Sequence, residues 1–178
     1  MKPVSAWFER KFDFSFPLDL LPNLYARLRG TPARLEEALR AFPTEFLTNK
    51  PDGKYSAQEH AGHLLDLESL WLARIEDYAA ARGQLTPADL TNRKTAEANH
   101  NQTDPELLLA AFRAARESLF RRTQELDPEA FHRALPHPRL KTPMYLADHL
   151  HFVAEHDDHH LAHIWHLLTD IHVTRYTP

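Results

Sequence analysis

The chain carries, from His149 to His166, the stretch HLHFVAEHDDHHLAHIWH, which reads as one continuous helix. Eight of the thirteen histidines of the chain fall between His149 and His172. Histidine is a mediocre helix former, and its usual roles are metal ligation, proton transfer and pH sensing. The density of imidazoles on one helix therefore makes a metal site the leading hypothesis.

Upstream of this stretch, the period of the apolar residues predicts three more amphipathic helices. The second helix opens with a capping box at Ser56 and Glu59, and the third opens with an N-cap at Asp104-Pro105. The histidine-rich helix starts by the same logic at Thr142-Pro143. The four predicted helices cover about residues 18–42, 56–83, 104–126 and 142–169.

The pattern of the whole chain predicts an all-α bundle. No segment shows the sustained alternation of a half-buried strand, and only four glycines are available for tight hairpins, so a sheet is disfavoured. The connection from Gln84 to Gln102 is long for a bundle loop, and a bend is expected near Gly30-Thr31-Pro32. At 178 residues the chain suits one compact domain over residues 1–178.

Composition excludes several classes of partner. The net charge is −4 and the basic residues are scattered, so no nucleic-acid partner is expected. The chain has no cysteine, so any metal ligands must come from His, Asp and Glu. No signal-peptide pattern opens the chain, and no stretch reaches the roughly 18 apolar residues of a membrane span. We therefore expect a cytoplasmic protein that acts on a small molecule.

Spacing limits which histidines can share an ion. Residues four apart on a helix are separated by about 6 Å along its axis, which lets two rings bend toward one metal. The pairs on the last helix that satisfy this spacing are His156/His160 and His159/His163. A third ligand must come from another helix, and the second predicted helix offers His60 and His63. Periodicity does not choose between these two.

Two strings resemble signatures of the DinB/YfiT-like superfamily. They are GKYSAQEHAGHLLD, which starts at Gly53, and HDDHHLAHI, which starts at His156. The resemblance extends over about residues 18–170 and implies an up-down four-helix bundle with a long crossover between helices two and three. One departure is Tyr55, which stands where tryptophan is commoner in the family; we do not expect it to disturb the site.

The resemblance also implies a site, in which one ion lies between helices two and four. The ligands that it implies are His63, His156 and His160. We predict that the ion is divalent, with zinc or nickel as first choices and iron or manganese as others. Characterised relatives include transferases and isomerases that act with bacillithiol or mycothiol, so a low-molecular-weight thiol is a candidate co-substrate.

Other polar side chains near this site have weaker assignments. The candidates for lining the pocket or supporting the ligands are His60, His149, His163, Asn92 and Arg93, with plain packing or loop solubility as the alternative. An arginine at the pocket mouth would suit a carboxylate substrate. Asp66 and Asp157 are weak candidates for a general base, since most helix acids are simply solvated. His159 and His166 are expected to be half-exposed surface residues.

These observations lead to a function hypothesis with two alternatives. The hypothesis is a metal-dependent enzyme with the thiol S-transferase-like chemistry that the resemblance implies. A chain without cysteine would take the sulfur nucleophile from a small molecule, which agrees with that chemistry. The alternatives are a non-catalytic metal-binding stress-response bundle and a metal-dependent hydrolase. Related bundles often pair, so a homodimer is one candidate, but the sequence leaves the oligomeric state open. The sequence does not determine the substrate or whether the site is catalytic.

Overall fold

The structure, a computed structural model, describes residues 3–50 and 53–176, with side chains as far as residue 170. It is mostly helical, as predicted. Its helices are α1 (Leu21–Arg40), α2 (Thr44–Leu47), α3 (Ala57–Ala79), α4 (Arg93–Glu97), α5 (Pro105–Gln124) and α6 (Leu146–Tyr176). Single 3₁₀ turns lie at Trp7–Glu9, Leu18–Leu20, His100–Gln102 and Pro128–His132. Two short strands are β1 (Ala134–Pro136) and β2 (Pro143–Tyr145).

Capping residues set the starts of α3 and α5 as predicted. The Ser56 hydroxyl accepts from the Glu59 backbone N–H, and the Glu59 carboxylate accepts from the Ser56 N–H, which completes the capping box. The Asp104 carboxylate accepts from the Glu106 N–H at 2.8 Å. The predicted end of α3, at Gly83, lies beyond the observed end of the helix at Ala79.

The predicted start of the last helix at Thr142-Pro143 is wrong, and so is the expectation that no sheet forms. Pro143 begins β2, which pairs antiparallel with β1, and Leu135 lies opposite Met144. Both of these side chains are buried while their strand neighbours are exposed, so the alternation is confined to three residues. The Tyr78 hydroxyl donates to the Met144 carbonyl at 2.7 Å, which holds the hairpin against α3.

The four long helices pack in pairs around two apolar clusters. α3 contacts α5 and α6, and α1 contacts the same two helices. One cluster includes Trp71, Tyr78 and Phe152, and the other includes Leu35 and Phe112. The up-down order and the crossover stay predictions. None of the described helices combines the length and apolar character that crossing a bilayer requires.

A buried ionic network joins all four long helices. Arg116 on α5 is 1% exposed, and its guanidinium donates to Glu68 of α3 at 2.6 Å and to Asp157 of α6 at 2.5 Å. It also donates to the Leu28 carbonyl of α1 at 3.2 Å, while the Thr31 hydroxyl donates to Asp157 at 2.8 Å. Burial lowers the pKa of Arg116, but the two carboxylates outweigh burial and raise it. The guanidinium therefore stays charged at the centre of the bundle.

The proline inside α1 supplies one acceptor of this network. Pro32 has no N–H, so the Leu28 carbonyl four residues earlier lacks its usual partner within the helix. Arg116 donates to that free carbonyl. The Gly30-Thr31-Pro32 segment, where a bend was expected, lies within one continuous helix.

We expect Arg116→Leu to lower the free energy of unfolding by about 3–5 kcal/mol, because it leaves Glu68 and Asp157 buried without their counterion. Urea unfolding measures this loss. The matched control is Arg113→Leu on the same helix, whose ion pair with Glu36 is largely solvent-exposed, so we expect about 0–1 kcal/mol there. Equal losses in the two variants would contradict the proposed importance of the network.

Candidate functional site

Three buried histidines from two helices lie together. His63 lies on α3, and His156 and His160 lie on α6; their exposures are 5%, 5% and 7%. One ring nitrogen of each lies within 4.8 Å of those of the other two. The Nε2 atoms of His156 and His160 are 3.2 Å apart. We refer to these three residues as the histidine triad.

Helix geometry and core packing bring the triad together. His156 and His160 are one turn apart, so their rings lie on the same side of α6. Ala61 and Leu64, which flank His63 on α3, belong to the same apolar cluster as Leu161 and Ile164 of α6. The packing of α3 against α6 therefore places His63 beside the pair on α6.

Neighbouring side chains orient two of the three rings. His63 Nδ1 lies 3.0 Å from the Thr95 hydroxyl, and His160 Nδ1 lies 2.7 Å from His60 Nδ1. His156 Nδ1 is buried and has no hydrogen-bond partner among the described residues. With the Nδ1 atoms of His63 and His160 engaged, their Nε2 atoms are the nitrogens left to face the centre of the triad.

The segment between α3 and α5 carries Thr95 and is docked onto α3 by His100. The His100 Nε2 atom lies 2.8 Å from the Asp66 carboxylate. A Cβ atom on Gly62 would lie only 2.2 Å from the His100 ring, so this close approach requires glycine. The segment also uses Asn92 and Asn99 at positive φ, a conformation that asparagine tolerates.

Burial keeps the triad neutral. Burial lowers the pKa of His63 to about 4, and it lowers the pKa values of His156 and His160 well below the usual range. Burial likewise lowers the pKa of His60 to about 3. At neutral pH each triad ring therefore offers a lone pair instead of a positive charge, which is the state that a metal requires.

A cavity of about 350 Å³ lies beside the triad. Its apolar lining includes Trp7, Phe8, Leu67, Leu70, Trp71 and Phe152. The polar side chains that line it are Tyr55, His63, His156, His159, His160, Arg74, His137, Arg139, Asp89 and Asn92. This volume and mixed lining suit a small organic molecule.

Comparison with known proteins places this site in a family. Residues 27–164 match the sequence profile of the DinB superfamily. The chain belongs to the DinB superfamily. The resemblance seen in the two histidine-containing strings is thus confirmed.

The fold is also similar to that of a solved structure, YfiT from Bacillus subtilis. The TM-score is 0.77 at 22% sequence identity, and the match covers 92% of this chain and 94% of that chain. YfiT is described as a probable metal-dependent hydrolase with an unusual four-helix bundle topology. No curated protein matches the sequence.

The pocket candidates of this DinB protein fall in different places. His60 contacts His160, and Asn92 lines the cavity. His163 stacks on His60 but does not line the cavity. His149 is fully buried against Trp71 and Tyr78 and does not line the cavity. Arg93 is exposed and lies outside the cavity lining.

The two weak candidates for a general base are engaged elsewhere. Asp66 is buried and faces His100. Asp157 is buried in the ionic network with Arg116 and Thr31. Neither carboxylate lines the cavity, so neither is placed to act as a general base on a molecule bound there.

The expectation that His159 is half-exposed is wrong. It is 9% exposed and lines the cavity, because Trp7 from the N-terminal segment packs on it with ring centres 5.4 Å apart. The Trp7 ring also lies 4.9 Å from that of His156. The predicted bundle begins at about residue 18, yet residues before this point form part of the cavity wall. By contrast, His166 is partly exposed and pairs with Asp170.

Sequence reasoning also missed Arg74, His137 and Arg139 in the cavity wall. Arg74 carried a signal that could have been used, since it lies on the apolar stripe of α3 between Trp71 and Tyr78. A charged residue at such a position is buried and needs a partner. His137 and Arg139 follow β1, in a segment where no repeating pattern of apolar residues predicted burial.

We expect the metal-free protein to lose stability as the pH falls below about 6.5, the pKa of an unfolded histidine. Burial lowers the pKa of His137 to about 4 and that of His149 well below its usual value, so the unfolded chain binds more protons. Their stabilisation is present above pH ~6.5 and is lost toward the folded pKa values, at about 1.4 kcal/mol per pH unit for each neutral ring. Urea unfolding at several pH values measures the slope, and His149→Leu should reduce it by about one proton. A flat profile from pH 7 to pH 5 would refute this assignment.

Proposed function

We propose that this DinB protein is a metal-dependent enzyme whose divalent ion is held by His63, His156 and His160. The observation that carries the proposal is the convergence of three buried, neutral ring nitrogens at the wall of a cavity. Buried imidazoles without charged partners are the donor set that zinc, nickel and related ions prefer. Three protein ligands also leave coordination positions open for a substrate.

The separation of the two proposed ligands on α6 supports a shared ion. Ligand nitrogens lie about 2.0–2.1 Å from zinc, so two of them at tetrahedral or octahedral angles are about 2.8–3.4 Å apart. The Nε2 atoms of His156 and His160 have a separation of 3.2 Å. Thr95 and His60 hold the far nitrogens of His63 and His160, as the outer partners of metal ligands commonly do. Zinc or nickel are the ions we favour, ahead of iron or manganese.

The chemistry we favour is transfer of a small-molecule thiol to an electrophile. A divalent ion held by three neutral ligands keeps its full charge and lowers the pKa of a coordinated thiol or water molecule. The chain has no cysteine, so the sulfur must come from a low-molecular-weight thiol. The thiol loses its proton to solvent, and the new carbon–sulfur bond forms as the bond to the leaving group breaks. Trp7, Trp71 and Phe152 line the cavity, and an apolar wall of this kind would disfavour water beside the reacting groups.

A metal-dependent hydrolase is the second candidate. It is favoured by the likeness in fold to YfiT, which is described in those terms. Water would then take the place of the thiol as nucleophile. The homodimer implied by the family stays a prediction, which analytical ultracentrifugation would test.

We expect the purified protein to contain about one divalent ion per chain, and His160→Ala to lose it, because two remaining ligands hold an ion weakly. Elemental analysis after gel filtration measures the content. His166→Ala is the control, since this histidine lies on the same helix but outside the triad, and it should keep the ion. Full ion content in His160→Ala, with helicity unchanged, would remove the triad from the proposal.

We expect the metal-loaded protein to accelerate adduct formation between 1-chloro-2,4-dinitrobenzene and at least one thiol from a panel that includes bacillithiol and mycothiol. Absorbance of the thioether measures the rate, and His160→Ala should return it to the rate without protein. Parallel assays with p-nitrophenyl esters test hydrolysis. Ester cleavage without adduct formation would contradict the proposed thiol transferase and favour the metal-dependent hydrolase. Activity in neither assay would favour the non-catalytic metal-binding bundle.

A further inference from the structure

Part of the cavity wall holds three buried side chains that carry hydrogen-bond donors. They are Arg74, Trp71 and His137, whose exposures are 1%, 3% and 3%. An N–H of Trp71 and an N–H of His137 have no acceptor among the described residues. The Arg74 guanidinium carbon lies 5.4 Å from the centre of the Trp71 ring. The His137 ring centre lies 5.6 Å from that of Phe152, which lies 6.4 Å from that of Trp71. We refer to these three residues as the donor cluster.

Arg74 lacks the counterion that a buried arginine normally has. Its Nε atom donates to the Thr86 carbonyl at 2.9 Å, and no carboxylate among the described residues forms a salt bridge with its guanidinium. The charge of Asp77, which accepts from the Thr86 N–H, raises the pKa of Arg74 from farther away, but it does not outweigh burial. Arg116 is equally buried but is neutralised by Glu68 and Asp157. Burial lowers the pKa of Arg74 to about 10, so the side chain is still charged at neutral pH. A buried positive charge without a partner is costly, which indicates that a ligand supplies the anion.

His137 adds a second donor, whose tautomer is set by the backbone. The N–H groups of Arg139 and Leu140 both donate to His137 Nδ1 at 3.2 Å. Burial lowers the pKa of His137 to about 4, so the ring is neutral and carries its proton on Nε2. That Nε2 atom is buried and has no hydrogen-bond partner among the described residues.

Trp71 adds the third donor, because its indole Nε1 atom is also buried without a partner in the described part of the chain. Indole N–H groups can only donate. The one carboxylate that lines the cavity, Asp89, is exposed and already accepts from Thr91 and from the Arg93 backbone N–H. An oxygen of a ligand that enters the cavity would supply the acceptor that the Trp71 and His137 N–H groups lack.

We propose that the donor cluster binds an anionic oxygen group of the substrate, a carboxylate or a phosphate. The guanidinium supplies the charge, and the two neutral N–H groups direct the oxygens. The apolar part of the substrate then lies along Phe152 and Trp71, whose ring centre is 5.7 Å from that of His156. That the other end of the substrate reacts at the histidine triad rests on the proposed function, whereas binding of the anion does not.

Isothermal titration of the full-length, chelator-treated protein tests the proposal without any metal. The probes are 3-phenylpropionate, phenyl phosphate and the neutral 3-phenylpropionamide. We expect one of the two anions to bind at least about ten-fold more tightly than the amide, and Arg74→Met to weaken that anion by about 10- to 100-fold with little change for the amide. The stronger anion identifies carboxylate or phosphate as the natural group. Arg121→Met, an exposed arginine on α5 outside the cavity lining, is the control and should bind as the original protein does.

A second variant keeps the proposal testable if Arg74→Met does not fold. Trp71→Phe keeps an aromatic ring but removes the N–H, and we expect the anion to bind about 3- to 10-fold more weakly. Equal affinity for the anions and the amide in the original protein, or unchanged anion binding in both variants, would overturn the proposal. Loss of metal binding in His160→Ala is measured separately, so the failure of the metal site and the failure of the anion site are distinguishable.

Discussion

The rest of the structure depends on the buried ion pairs of Arg116. This one side chain contacts a carboxylate on α3, a carboxylate on α6 and a backbone carbonyl on α1, so all four long helices meet at it. Buried ion pairs add little net stability, but an unpaired partner is strongly unfavourable, so the network penalises any other arrangement of the helices. Asp157 follows His156 directly. Fixing that carboxylate toward α5 fixes the rotation of α6 and turns the neighbouring imidazole toward α3.

The two fully buried arginines differ in what neutralises them. Arg116 is matched by carboxylates of the chain itself, and it belongs to the framework. Arg74 has no such match among the described residues and lines the cavity. The cavity thus has lone pairs on one part of its wall, from the histidine triad, and unmatched N–H groups on another. The first arrangement is complementary to a cation and the second to an anion. Under the two proposals, the substrate has one end that reacts at the metal and one anionic end.

The connection between α3 and α5 belongs to the site as much as the helices do. Gly62 lets the His100 ring approach α3, and the contact of His100 with Asp66 holds the segment in place. Thr95 is thereby placed against His63. A long, polar connection of this kind looks like a solvated loop in the sequence. Its role follows from one close backbone approach that only glycine allows.

Local patterns in the sequence determined the four long helices and reduced the candidate pairs on the last helix to His156/His160 and His159/His163, because capping and the helical repeat act over a few residues. The family signature chose the first pair and added His63, which periodicity alone left equal to His60. Only the tertiary structure decided that Pro143 lies in a strand, that Trp7 covers His159, and that Arg74 and His137 share a cavity with the triad. Those relations join residues far apart in the chain. The packing of the helices decides which polar groups have hydrogen-bond partners and which do not. The spacing of residues in the sequence does not predict this.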